Sequence, residues 1–202
     1  MALTTLPTAA LANDAVDNTK LDLAANYAFT GTVTGAGALT KISEVDATGA
    51  SSVTFDSLGS YENFVVWYRN LNFSNSTSVY LEFKDVDGRQ TGGYRYRANY
   101  AKDDDQTESI YNATANEINI VKDVYAGTNE RIMGTLHISK VPSGAEPCCY
   151  FQSSGKMSNG LYAYGSGFAI NNSMNGVLSG LYFFPGSGTF SSGTIVLYGV
   201  SS

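Results

Sequence analysis

Apolar and polar residues alternate along most of the chain from about residue 50 onward. In SVYLEFKD (78–85), Val79, Leu81 and Phe83 fall on one face of a strand, and the residues that alternate with them fall on the other. This alternation is typical of an antiparallel sheet that has one face on a core and the other face in water. The segment is therefore predicted to be a half-buried strand.

Ten segments share this character, because β-branched and aromatic residues are concentrated between Gly, Asn, Asp and Ser. They are predicted to be strands: 51–56, 63–70, 78–85, 93–100, 117–122, 131–139, 148–154, 160–170, 176–184 and 194–200. The exceptions expected to be helical are TESIYNATANE (107–117) and part of the N-terminal region. Many short strands in one domain predict an all-β fold, an antiparallel β-sandwich of jelly-roll type, with a closed barrel as the alternative.

The first 50 residues have a different character and are predicted to form an extended N-terminal arm on a β-sandwich domain at 51–202. In LANDAVDNTKL (11–21), the sizeable apolar residues Leu11, Val16 and Leu21 are spaced by five. That spacing places them on different faces of a helix and on alternating faces of a strand, so one chain alone cannot bury all three. Three copies of the chain around a common axis can bury all three residues, which predicts a homotrimer. The alternatives are that the arm binds in a groove on another protein or packs on the chain's own domain.

Composition narrows the possible partners. Charged residues make up 15% of the chain, against about 25% in typical proteins. The net charge of −6 is the wrong sign for neutralising phosphates, so nucleic-acid binding is not expected. The start lacks the pattern of a secretory signal, and no apolar run approaches the ~18 residues of a membrane helix. We expect a soluble protein with no membrane insertion.

The two cysteines and the single histidine limit the possible chemistry. Cys148 and Cys149 are adjacent, too close for ordinary disulfide geometry, and are expected to be free thiols in a strand. His137 lies between Leu136 and Ile138 and should point outward while they point inward. One histidine cannot complete a Cys/His zinc site, and no nucleophile-elbow motif accompanies it. No metal, no cofactor and no catalytic triad are expected.

Acidic residues offer two weaker signals. Asp85 and Asp87 in KDVDGRQTGG (84–93) resemble the start of a calcium loop, but an Asp-Gly pair between strands is first of all a hairpin turn. The run Asp103 to Asp105 is expected to be a solvated loop, with a calcium site as the alternative. A pair of carboxylates for glycoside hydrolysis is not excluded by the sequence, although the expectation is that the chain is not an enzyme.

Aromatic residues allow two interpretations. In GYRYRANY (93–100), Tyr94, Tyr96 and Tyr100 share one strand face, and Arg95 and Arg97 share the other. The tyrosines are expected to pack in the core, with stacking on a glycan as the alternative. The same packing role is expected for three further residues: Trp67, Tyr162 and Tyr164.

Two stretches carry a resemblance to a known class of proteins. ALANDAVDNTKLDLAANYAFTGTVTGAG (10–37) resembles the linkers of tailed-bacteriophage virion proteins, especially tail-fibre and related surface proteins. GTFSSGTIVLYGV (188–200) is similar to the closing strands of phage structural domains. The resemblance implies a trimeric protein on the virion surface, a capsid decoration, head fibre or short tail fibre, that is anchored to other virion proteins by its arm. The alternative is a receptor-binding module for host-surface glycan.

Overall fold

Antiparallel strands account for the regular structure in a computed structural model that describes residues 39–102, 107–127, 130–140, 146–156, 162–174 and 176–200. The described strands are β1 (Leu39–Asp46), β2 (Val53–Phe55), β3 (Asn63–Phe73), β4 (Thr77–Asp85), β5 (Gly88–Arg89), β6 (Tyr94–Lys102), β7 (Thr107–Ala115), β8 (Ile118–Val124), β9 (Ile132–Ser139), β10 (Cys148–Lys156), β11 (Tyr162–Asn171), β12 (Gly180–Pro185) and β13 (Phe190–Val200). Each of the ten predicted strands matches one of these, so the all-β prediction is confirmed.

Three strands were not predicted. The expected helix at 107–117 is wrong: β7 occupies Thr107–Ala115 and pairs with β6. Its Thr, Ile and Tyr residues suit a strand, and the neighbouring strand supplies the backbone hydrogen bonds that a short helix would have to make alone. Residues 39–46, assigned to the arm, form the edge strand β1 against β13. The third is β5, which has two residues.

The strands form two sheets whose paired neighbours are all antiparallel. The larger sheet has eight strands in the order β1-β13-β3-β9-β10-β11-β6-β7. The smaller has five: β2, β12 and β4 lie side by side, and both β5 and β8 pair with β4. The two sheets pack as a sandwich, which confirms that prediction. The jelly-roll assignment stays a prediction.

The core lies between the two sheets, and the predicted inward faces of β4 and β9 are confirmed. Leu81 of β4 and Leu136 of β9 are fully buried, while His137 is exposed. The other face of β4 is drier than expected, because Glu82 is buried there under Arg89 and Tyr182.

The Asp-Gly hairpin is also confirmed. The backbone N–H of Asp87 donates to Asp85 Oδ1 at 2.9 Å in the turn between β4 and β5. Gly88 then takes a φ of 113°, which glycine adopts without steric cost.

Candidate functional site

Five large apolar side chains are exposed on the outward face of the larger sheet. Each is between 43% and 54% exposed, and together we call them the aromatic face: Trp67, Met133, Tyr150, Tyr164 and Phe168. They come from four adjacent strands, β3, β9, β10 and β11. Single exposed apolar residues are ordinary on protein surfaces, whereas a group of them on one sheet face is a candidate interaction surface.

A shallow depression of about 360 Å³ lies within the aromatic face. Trp67, Met133 and Tyr164 line it, together with the polar residues Arg69, Thr135, Gln152 and Ser154. Gln152 Nε2 donates to the Tyr164 hydroxyl at 2.8 Å, which orients both groups. The depression therefore combines apolar surfaces with fixed hydrogen-bonding groups.

A second depression of about 420 Å³ lies toward the other end of the same strands. Its lining includes His137, Tyr150 and Phe168. The His137 and Tyr150 rings have centroids 6.5 Å apart. In the strand register His137 is opposite Tyr150, and Tyr150 is opposite Phe168, so the three side chains form a row across β9, β10 and β11.

Glycines on the opposite side of β11 explain why its rings point outward. Gly165 and Gly167 face the core, where a Cβ on Gly165 would overlap the Tyr100 ring. A Cβ on Gly167 would lie 2.5 Å from Phe151 Cζ and 2.6 Å from the Arg97 carbonyl oxygen. Large side chains on the neighbouring strands thus fill the space inside β11, and its own aromatic residues are left outside.

The expectation that Trp67, Tyr162 and Tyr164 pack in the core is therefore wrong. Their exposed fractions are 43%, 61% and 49%. Sequence reasoning also missed Tyr150 and Phe168 as surface groups. The signal that could have found the Tyr164 and Phe168 positions is the alternation of Ala and Gly with aromatic residues in 162–170.

The tyrosines of β6, in contrast, point into the core. Tyr94, Tyr96 and Tyr100 are buried, so the packing interpretation is confirmed and the glycan alternative is wrong for these three. The Tyr94 hydroxyl accepts a hydrogen bond from the Phe83 N–H at 2.7 Å and donates to the Gln90 carbonyl at 2.9 Å. Burial raises the pKa of Tyr94 and of Tyr100 above the ordinary value. None of the three offers a ring face to a ligand.

The buried carboxylate of Glu82 lies on the smaller sheet rather than on the aromatic face. Glu82 Oε2 is 2.6 Å from Arg89 Nε, and the guanidinium stacks 3.7 Å from the Tyr182 ring centroid. Burial, and then the charge of Glu82, raise the pKa of Glu117. Glu82 is thus held in an ion pair. The described part of the chain contains no cluster of three potential metal ligands, and the run Asp103 to Asp105 lies outside it.

Both cysteines are free thiols in β10, as expected. Cys149 is buried, and burial raises the pKa of its thiol to about 12. Cys148 is half-buried and lies beside the second depression. A thiol with so high a pKa is a packing group rather than a nucleophile.

The proposed assembly residues Leu11, Val16 and Leu21 lie outside the described residues. No protein family matches the sequence, and comparison with curated proteins finds no match. Among the described residues there is no helix long and apolar enough to span a membrane.

Proposed function

We propose that the β-sandwich is a glycan-binding module whose binding surface is the aromatic face. The observation that carries this proposal is a set of exposed apolar side chains beside a lining of hydroxyl and amide groups. Aromatic rings offer a flat apolar surface to the C–H face of a sugar, and adjacent polar groups supply hydrogen bonds to its hydroxyls. The proposed role is binding without catalysis.

The spacing of the rings favours an oligosaccharide over a single sugar. Trp67 is on β3 and Tyr164 is on β11, three strands further along the sheet. Neighbouring strands are about 4.8 Å apart, so the backbones that carry the two side chains are separated by about 14 Å across the sheet. Trp67 is held from one side by Tyr198, with ring centroids 4.8 Å apart, so one wall of the depression is positioned before a ligand arrives.

A glycan array probed with the full chain, followed by titration of the best ligand, tests the proposal. Trp67→Ala and Tyr164→Ala should each weaken binding by about tenfold or more, because central aromatic side chains carry most of the affinity of such surfaces. Val86→Ala is the control, since Val86 is 85% exposed in the turn between β4 and β5, away from the aromatic face. An array with no binding, or two aromatic variants that bind like the parent, would refute the proposal. Thermal melting checks that each variant is folded.

We further propose that this module belongs to a trimeric structural protein on the surface of a tailed-phage virion. The support is the resemblance of residues 10–37 and 188–200 to phage virion proteins, and the spacing of Leu11, Val16 and Leu21. The part of the arm that precedes β1 would anchor the chain to other virion proteins as a capsid decoration, head fibre or short tail fibre. The glycan-binding module would then face the host.

Light scattering after size exclusion tests this second proposal. The full chain should have the mass of a trimer, and deletion of residues 1–25 should give a smaller species that still melts cooperatively. The control is the triple substitution of Asn13, Asn18 and Asn26 by Ser, which keeps the arm and its apolar residues. A full chain that is monomeric throughout would contradict the trimer. The anchoring role is tested by adding the truncated chain to virions, and it would be contradicted if that chain still decorated them fully.

A further inference from the structure

Charge is distributed unevenly between the aromatic face and the rest of the chain. The protein has 18 acidic and 12 basic residues, for a net charge of −6. The described outward positions of β9, β10, β11 and β6 nevertheless include no carboxylate. Those of β6 carry the exposed arginines Arg95 and Arg97. A positive strip thus borders the aromatic face of an acidic protein.

Arg97 lies next to that face. In the strand register it is opposite Phe168 on one side and Tyr111 on the other, and both rings are exposed. Directly opposed side chains in an antiparallel sheet have Cβ atoms about 4.5–5.5 Å apart, so the Arg97 side chain leaves the sheet between two aromatic residues. Tyr111 extends the apolar surface by one strand beyond β6.

Arg97 also differs from other arginines on the two sheets. Arg69 pairs with Glu44 at 3.1 Å, and Arg89 pairs with Glu82. Within the described ranges no carboxylate pairs with Arg97. A guanidinium matches the geometry of a carboxylate with two parallel hydrogen bonds.

We propose that the ligand of the aromatic face is an acidic glycan and that Arg97 binds its carboxylate, an inference that rests on the proposed glycan-binding function. Complementary charge selects this occupant. The negative groups of an acidic glycan are attracted to the exposed Arg95 and Arg97 beside the aromatic face.

Matched oligosaccharides test the proposal on the full chain. The probes are oligogalacturonate and oligosialic acid, each compared with its methyl ester, which keeps the sugar rings and removes the charge. At low salt the acid forms should bind about tenfold or more tighter than the esters, as expected for hydrogen bonds to a charged group. Arg97→Gln should remove this difference, so that the acid and ester forms bind with similar affinity. Added salt should weaken binding of the acid forms alone.

Lys41→Gln is the matched control. It changes the net charge by the same amount on β1, six strands away from β6 and far beyond the Debye length of about 8 Å at physiological salt. Equal affinity for acid and ester, both abolished by Trp67→Ala, would overturn the acidic-glycan inference and leave the glycan-binding function intact. Binding of no probe, with an oligomer that dissociates on Trp67→Ala, would overturn both and assign the face to a second copy. Loss of affinity in Lys41→Gln equal to that in Arg97→Gln would overturn the assignment to Arg97.

Discussion

Alanine at Gly165 tests the packing that turns the β11 rings outward. A Cβ at this position would overlap the ring of Tyr100, and Ser153 Oγ would lie 3.1 Å away. The ring has little freedom to move, because Tyr100 is 2% exposed and its hydroxyl donates to the Asn119 carbonyl at 3.2 Å. The added methyl group therefore meets a fixed obstacle.

Two opposing effects determine how much Gly165→Ala changes the free energy of unfolding. Alanine is favoured over glycine within a strand by roughly 0.5–1 kcal/mol, because glycine loses more conformational freedom on folding. Overpacking of a filled core costs about 1–3 kcal/mol. The steric effect exceeds the entropic one, so Gly165→Ala should lower the free energy of unfolding by about 1–2 kcal/mol. In a domain of this size each kcal/mol lowers Tm by about 2–4 °C.

Urea denaturation of four variants provides the measurement. Gly92→Ala is the matched control, since a Cβ there meets nothing within 4 Å. Tyr100→Leu should cost stability by itself. Combined with Gly165→Ala it should cost about 1 kcal/mol less than the sum of the two, because the obstacle has been removed. A Gly165→Ala protein as stable as Gly92→Ala, or strictly additive effects in the double variant, would show that the space inside β11 is not filled.

The remaining predictions concern buried polar groups. A thiol reagent at pH 8 should label Cys148 in the native protein and leave Cys149 unlabelled, because burial raises the Cys149 pKa to about 12; both should label in denaturant, and equal native rates would contradict the assignment. Arg89→Met should lower the free energy of unfolding by about 2–4 kcal/mol, because it leaves the buried Glu82 carboxylate unpaired. This range is smaller than that for a fully buried ion pair, because the Arg89 side chain is 39% exposed and water screens its charge. Adding Glu82→Gln should restore part of that loss, and a double variant no more stable than Arg89→Met would contradict this cause.

The period-two pattern of the sequence by itself determined much of the fold. It located ten strands, and it assigned Leu81, Leu136 and His137 to the faces that they occupy. These assignments succeeded because one face of each strand is clearly more apolar than the other. β7 lacked that contrast, since half-buried and exposed residues alternate along it, and its pairing with β6 decided its conformation.

Tertiary structure alone decided which aromatic residues face outward. Alternation shows which residues of a strand share a face, but it does not show which face is inside when one carries aromatic rings and the other carries small residues. In β11 the answer depends on Tyr100 and Phe151, which belong to neighbouring strands and fill the space beside Gly165 and Gly167. The candidate site exists because side chains from strands that are distant in sequence fill the core beside β11, so that the aromatic residues of β11 face outward. The residues of a single strand determine only which of them share a face.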